Sequence, residues 1–139
     1  MKPVVQEEAT GCAIACVAAI AGVCYEKARV VAADLGIYAS DETLWSDTAH
    51  VRRLLDAFGF ATAFEEVAFR AWESLPDLCL LAIKWRMKAS QAFWHWAVFY
   101  RSPETGPVVL DPKRSLKTNV RRDFGRVKPR WYIPVSKDR

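Results

Sequence analysis

One apolar run near the N-terminus constrains the fold of this chain more than any other feature. Residues 12–22 read Cys-Ala-Ile-Ala-Cys-Val-Ala-Ala-Ile-Ala-Gly, a segment that is rich in alanine and carries no charge. Alanine favours the helix, Thr10 is placed to cap its start, and Gly22 is placed to end it. A helix that is apolar nearly all round is stable only when it is buried on every side. We therefore expect a central helix with the rest of the chain packed around it.

The pattern of apolar residues predicts further helices before residue 60 and strands after it. A second helix is expected over about residues 25–35, with Gly36 as its stop. A third is expected over about 47–58, with Ser46 or Asp47 as its cap and Gly59 as its stop. After one helical turn near residues 69–75, strands are predicted over residues 78–85, 94–100, 107–110 and 131–135. Helices followed by antiparallel strands indicate an α+β fold, and the absence of a linker or repeat predicts a single domain over 1–139.

The charge of the chain is uneven along its length. The net charge is +4, but residues 1–100 carry nine Lys/Arg against twelve Asp/Glu, whereas residues 101–139 carry eleven against four. A basic surface attracts acidic partners, nucleic acid or anionic lipid. Aromatic residues are not interleaved with the basic ones as a base-stacking surface requires, so nucleic-acid binding is not indicated.

Cysteine usage and hydropathy set the expected location. Without a signal peptide, the four cysteines are expected to be free thiols in a reducing compartment. The longest nearly apolar stretch, residues 12–24, is about 13 residues long, which is too short to cross a bilayer. We expect no transmembrane segment, and a protein that is cytoplasmic or is secreted without a cleaved signal peptide as an effector.

Among the four cysteines, only Cys12 is placed for catalysis. A thiol must ionise to act as a nucleophile, and the unpaired N–H groups and dipole at a helix N-terminus favour the thiolate. Cys16 lies one turn further along the same helix, Cys24 follows that helix, and Cys79 falls in an apolar strand. Cys12 is therefore the candidate nucleophile, and the other three are assigned to the core.

The candidate base is His95. The other histidine, His50, falls in the third helix in a polar setting, whereas His95 begins a strand among aromatic residues that exclude water. In a hairpin the entry of one strand lies opposite the exit of its partner, so Asp111 can reach His95 and hold it. Gln6, on the loop before the helix, is placed to stabilise an oxyanion together with the backbone N–H of Cys12.

These residues form a pattern that resembles a known family. The pattern is Gln6-x5-Cys12-x3-Cys16, then Phe93-x-His95-x-x-Val98, then Val109-Leu-Asp111-Pro112. It resembles the bacteriocin-processing, double-glycine leader peptidases of the papain-like cysteine peptidase superfamily, over nearly the whole chain. The resemblance implies a papain-like fold in which N-terminal helices pack on a C-terminal antiparallel sheet.

The resemblance also implies the catalytic roles of these residues. The chain differs from the family pattern next to the nucleophile. The matching positions assign Cys12, His95 and Asp111 as the triad and Gln6 as the oxyanion donor, with no cofactor and no metal. Cleavage after a double-glycine leader is the substrate that the family implies. Where the family usually has Asp-Cys-Gly, this chain has Gly11 before the cysteine and Ala after it.

Three functions remain open from the sequence. The first is a peptidase acting on a peptide or protein substrate, for maturation or as an antibacterial effector toxin, with an immunity or carrier protein as its partner. The second is a deamidase or acyltransferase that uses the same catalytic groups. The third is a catalytically silent module that binds a partner, which gives no reason to keep all four residue types. A zinc site is disfavoured because the cysteines lack paired short spacings.

Overall fold

The chain begins with helices and continues with strands, in the order that the sequence predicts. The structure is a computed structural model that describes residues 1–137. Its helices are α1 (Cys12–Ala21), α2 (Tyr25–Asp34) and α3 (Ala49–Ala57), with short 3-10 turns at Glu42–Trp45 and Trp72–Ser74. Its strands are β1 (Phe60–Thr62), β2 (Val67–Ala68), β3 (Leu78–Lys88), β4 (Gln91–Ser102), β5 (Gly106–Leu110), β6 (Val120–Arg121) and β7 (Trp131–Lys137).

Helix α1 is the buried central helix that its composition predicts. Every residue from Cys12 to Ile20 is buried, and the helix packs against α2, α3 and β4. It ends at Gly22, whose left-handed backbone (φ 72°) suits a residue without a Cβ. The prediction that Thr10 caps the start is wrong: Gly11 is the N-cap, and the Thr10 hydroxyl instead donates to the carbonyl of Ala39. That bond ties the loop before α1 to the chain that follows α2.

Helices α2 and α3 lie where the sequence predicts them, with small differences at their ends. Helix α3 begins two residues later than expected, because Thr48 takes the N-cap position while the Asp47 carboxylate accepts a hydrogen bond from the N–H of Ala49 at 2.9 Å. The expectation that His50 lies in a polar setting is wrong. His50 is buried on the inner side of α3, and burial lowers its pKa below the ordinary value.

The strands form an antiparallel sheet in the order β1-β7-β3-β4-β5-β6, with β2 also pairing with β7. This arrangement confirms the predicted α+β class. The central hairpin of β3 and β4 is longer than the pattern indicates, and its register slips at a bulge between Ile83 and Arg86. The strands β1, β2 and β6 are only two or three residues long, and the sequence analysis does not predict them.

Apolar clusters lie on both sides of the sheet. The larger cluster joins the helices to the sheet and contains Trp94 and Trp96, as expected from their alternation with His95. Together with Trp131 they stack edge-to-face, with ring centroids 4.9–5.7 Å apart. The smaller cluster packs Trp72 and Phe99 on the other side. Within residues 1–137, the structure contains no helix that is long and apolar enough to cross a membrane.

Candidate active site

The predicted nucleophile is the first residue of α1. Cys12 is fully buried, at 0% exposure, between the helix start and the sheet. Within the part of the chain that the structure describes, no side chain caps the helix at Gly11. The N–H groups of the first turn therefore keep their partial positive charge at the position of the sulfur. Since the sulfur is covered, a substrate reaches it only after neighbouring groups move.

The hairpin of β4 and β5 brings His95 and Asp111 together. Val98 pairs with Leu110 in this hairpin, so Asp111 leaves the end of β5 beside the part of β4 that carries His95. The Nε2 atom of His95 lies 2.8 Å from Oδ1 of Asp111. With Nε2 engaged by the carboxylate, Nδ1 is the ring nitrogen that remains for proton exchange with another group.

Asp111 is held by more groups than the sequence indicates. Its side chain is fully buried, its Oδ2 accepts a hydrogen bond from Nη1 of Arg121 at 3.0 Å, and its Oδ1 accepts one from the N–H of Lys113 at 3.1 Å. Burial alone raises the pKa of a carboxyl, but the hydrogen bond and charge of His95, with the hydrogen bonds from the Lys113 backbone and the Arg121 side chain, lower the pKa of Asp111 to about 2. Asp111 is therefore a fixed anion at neutral pH.

His95 is linked to both of its predicted partners. Burial opposes the charged form of the imidazole, but the hydrogen bonds with Asp111 and with the Cys12 thiol more than offset that cost and raise the pKa of His95 to about 9. His95 is therefore protonated at neutral pH.

The backbone of Gln6 is attached to the chain beside Asp111, and its side-chain amide is engaged locally. Its backbone N–H donates to the carbonyl of Pro112 at 3.0 Å, which attaches the N-terminal loop to the chain just after Asp111. The side-chain Nε2 donates to the carbonyls of Glu8 and Ala9, both at 3.0 Å. Both amide hydrogens are thus used by the loop in this conformation. The Oε1 atom is buried and has no partner within residues 1–137.

Gly11, directly before the nucleophile, is required by the close packing around it. A Cβ at Gly11 would overlap the hydroxyl of Tyr25, which donates to the Glu8 carboxylate. Burial, together with the hydrogen bond and charge of Glu8, raises the pKa of Tyr25, so the phenol stays protonated. A side chain larger than that of glycine at residue 11 would therefore force the Tyr25–Glu8 pair to shift. This contact explains why the chain has Gly11 where the family usually has Asp.

Two of the remaining cysteines, Cys16 and Cys79, lie in environments that disfavour the thiolate. Burial, with the charges of Cys12 and Asp111, raises the pKa of Cys16 well above its ordinary value. Burial likewise raises the pKa of Cys79. Cys24 is exposed, and all four cysteines are free thiols. Within residues 1–137, no cluster of three or more His, Cys, Asp or Glu side chains is arranged to hold a metal ion.

The fold defined by these elements is similar to that of solved peptidase domains. Two solved structures share it. One is a double glycine motif protease from an AMS/PCAT transporter in complex with the leader peptide, with a TM-score of 0.60 and 17% identity over 98% of this chain and 91% of that chain. The other is the peptidase domain of Streptococcus ComA, a bi-functional ABC transporter involved in a quorum sensing pathway, with a TM-score of 0.59 and 16% identity over 99% and 98%.

These likenesses rest on the fold rather than on the sequence. No protein-family model matches the chain, and no curated protein matches it significantly. At 16–17% identity, the structural likeness confirms the predicted fold class and leaves the activity of this chain to its own residues.

Proposed function

We propose that this chain is a cysteine peptidase that hydrolyses a peptide bond through Cys12, His95 and Asp111. The observation that carries the proposal is the 2.8 Å contact between Nε2 of His95 and the Asp111 carboxylate, and it is supported by the raised pKa of His95, to which the Cys12 thiol contributes. A nucleophile, a base in contact with it and a group that orients the base are the three parts that covalent amide hydrolysis requires.

The reaction proceeds in two steps through a thioester. The Cys12 thiolate attacks the peptide carbonyl, forming a carbon–sulfur bond, and the imidazolium of His95 gives a proton to the leaving amine as the carbon–nitrogen bond breaks. Neutral His95 then removes a proton from water, the hydroxide oxygen displaces the sulfur, and the acid product leaves. Asp111 keeps Nε2 engaged throughout, so the protons pass through Nδ1.

The oxyanion formed in each step needs donors, for which we propose the Cys12 N–H and the side chain of Gln6. The uncapped start of α1 supports the first donor. For the second, at least one of the bonds from Nε2 to the carbonyls of Glu8 and Ala9 must break when substrate binds. The same change loosens the loop that precedes the buried sulfur. We therefore propose that loop opening and completion of the oxyanion site occur together.

The substrate we propose is a leader peptide that ends in two glycines, and the role is maturation of a peptide. The support is the fold shared with a double glycine motif protease that was solved with a leader peptide bound. The shared fold extends over 98–99% of this chain and 91–98% of the two neighbours, which supports one peptidase domain over residues 1–139.

An antibacterial effector is the alternative role that we propose for the same peptidase. In that role, expression of the wild-type chain, but not of Cys12→Ala, arrests growth of a susceptible bacterium.

Mass spectrometry of a peptide substrate tests the proposal. A synthetic leader peptide ending in Gly-Gly, extended by several residues, is incubated with wild-type protein, Cys12→Ala and the matched control Cys24→Ala, which removes an exposed thiol. We expect two fragments from the wild type and from the Cys24 variant, and a loss of at least about a thousandfold in Cys12→Ala.

The same experiment separates the competing functions. A mass change of about one unit without chain cleavage identifies a deamidase that attacks side-chain amides. Equal cleavage by the wild type and Cys12→Ala excludes Cys12 as the nucleophile. Tight binding with no covalent change in any peptide of a Gly-Gly and Gln-containing panel identifies a silent module.

A further inference from the structure

A basic pocket lies beside the His95–Asp111 pair, in a part of the chain that the proposed mechanism does not use. It has a volume of about 480 Å³. Its cationic side chains, called here the basic pocket residues, are Lys84, Arg121, Arg126, Lys128 and Arg130. Trp85 and Pro129 form part of the wall, and no acidic side chain lines it.

The charge of this pocket is only partly balanced. Arg121 donates to Asp111 and also to Asp123 at 2.8 Å and 2.9 Å. Arg126 and Lys128 are exposed, and within residues 1–137 neither forms an ion pair with a carboxylate. A concave surface lined by one sign of charge concentrates ligands of the opposite sign.

Lys84 lies in this pocket with an unfavourable backbone conformation and beside other cations. Its backbone is left-handed (φ 53°), a conformation that residues with a Cβ avoid, and it lies in the bulge of β3. Burial lowers its pKa, and so do the neighbouring cations Lys113 and Arg121. Backbone outliers of this kind occur preferentially where a ligand is bound. A bound anion would relieve the repulsion between these cations.

The pocket is close to the proposed chemistry. Ile83 lines the pocket and is the direct strand partner of His95, and neighbouring strands are about 5 Å apart. Arg121 contacts Asp111 from the same pocket. An extended peptide whose reacting bond lies beside His95 would therefore pass near this pocket.

We infer that this pocket is a substrate subsite for a carboxylate side chain, so that the chain prefers an Asp or Glu close to the cleaved bond. The inference rests on the proposed peptidase function. A nucleic acid fits less well, because the indole of Trp85 is already covered by the guanidinium of Arg130, 4.2 Å above the ring, and is not free to stack on a base.

A binding experiment that does not depend on catalysis tests the subsite. The probes are a blocked tri-glutamate peptide and its tri-glutamine analogue, titrated into full-length Cys12→Ala protein by calorimetry. We expect the glutamate peptide to bind more tightly, and Arg126→Gln with Lys128→Gln to weaken it about tenfold, the effect of losing one or two charge-assisted hydrogen bonds. The matched control is Arg122→Gln, an exposed arginine of the same segment that does not line the pocket, for which we expect no change.

A cleavage experiment then connects the subsite to the reaction. For a peptide that the wild type cuts, Glu is compared with Gln at each of three positions on either side of the bond. We expect kcat/KM to rise about tenfold for Glu at one position, and Arg126→Gln with Lys128→Gln to remove that preference.

The outcomes separate the two proposals. Equal binding of the glutamate and glutamine peptides overturns the subsite even if leader peptides are cut. Selective glutamate binding in a protein that cuts no peptide supports an anion site and counts against the peptidase. Stronger binding of a short single-stranded oligonucleotide than of tri-glutamate, with loss in the same double variant, replaces the peptide ligand with nucleic acid.

Discussion

The ionisation of His95 can be measured directly, because the chain has only two histidines and their surroundings act in opposite directions. Contacts with Asp111 and Cys12 outweigh burial at His95 and raise its pKa to about 9, whereas burial lowers the pKa of His50. The perturbation is Asp111→Asn, which keeps the shape of the side chain and removes its charge. We expect the pKa of His95 to fall by about two pH units, since a carboxylate partner within hydrogen-bond distance accounts for one to three.

The magnitude follows from the two partners of the pair. Each pH unit of difference between folded and unfolded pKa corresponds to about 1.4 kcal/mol, so the value for His95 gives roughly 3 kcal/mol. The value for Asp111 gives roughly 2 kcal/mol for the same contact. We adopt roughly 2 kcal/mol, because part of the His95 value belongs to its contact with Cys12. Asp111→Asn therefore weakens the protonated form of His95 by about that amount.

The sign of the pH dependence follows from the raised pKa of His95. A folded pKa above the unfolded one stabilises the native state fully below about pH 6.5, and this stabilisation is lost as the pH rises toward 9. We expect this decline between pH 6.5 and 9 in the wild type, and a smaller decline over a narrower range of pH in Asp111→Asn.

The assay is nuclear magnetic resonance of the imidazole Cε1–H signals, recorded from pH 5 to 10 on protein without a histidine tag. In the wild type, one signal should titrate near pH 9 and the other below 6.5. The matched control is Asp77→Asn, which removes a carboxylate that pairs with Arg101 but is 78% exposed. The reasoning is refuted if neither histidine of the wild type titrates above about pH 7.5, or if the Asp77 variant shifts His95 as much as Asp111→Asn does.

Three further predictions concern the surroundings of the pair. Gln6→Ala should lower kcat for a cleaved peptide about a hundredfold or more if the amide binds the oxyanion, whereas a change in thermal stability with kcat unaltered would restrict Gln6 to bracing the loop. Gly11→Ala should lower the melting temperature through overlap with the hydroxyl of Tyr25, at a cost of about 1–3 kcal/mol, and Tyr25→Phe added to it should recover part of the loss; no recovery would contradict the steric explanation. Arg121→Met should raise the pKa of Asp111 toward its unfolded value, so that less stability is lost on acidification and the loss is complete at a higher pH than in the wild type, as measured by urea unfolding between pH 2 and 5; identical acid profiles would exclude a role for this contact.

The sequence predicts the helices and the long strands because each has a pattern of its own. The eleven residues from Cys12 to Gly22 have no charged position, so burial of α1 follows from composition. The strands β1, β2 and β6 have too few residues for a pattern, and they exist because β7 and β5 offer them pairing partners. The sequence places His50 next to charged residues, but it does not indicate that the fold buries the imidazole on the inner side of α3.

The site could be anticipated only where its residue types are rare. With two histidines and four cysteines, few combinations fit a nucleophile and its base, and the hairpin fixes which carboxylate lies near His95. The sequence does not distinguish Arg121 from Arg122, because both arginines lie side by side in the same basic segment. Only the pairing of Val109 with Arg121 shows which arginine reaches Asp111. The bonds of Gln6 to its own loop are likewise a result of backbone geometry that the sequence does not indicate.

Arg121 connects the basic C-terminal part of the chain with the proposed active site. One guanidinium contacts the carboxylate that orients His95 and lines the pocket where the remaining cations gather. Asp111 accepts from His95, Arg121 and Lys113, so its rotation is restricted by β6 and the turn after β5 as well as by the imidazole. Part of the excess of positive charge after residue 100 therefore lies beside an anion of the site. An anionic substrate group entering the pocket would compete for the same guanidinium, and binding in the pocket would then change the environment of Asp111 and, through it, of His95.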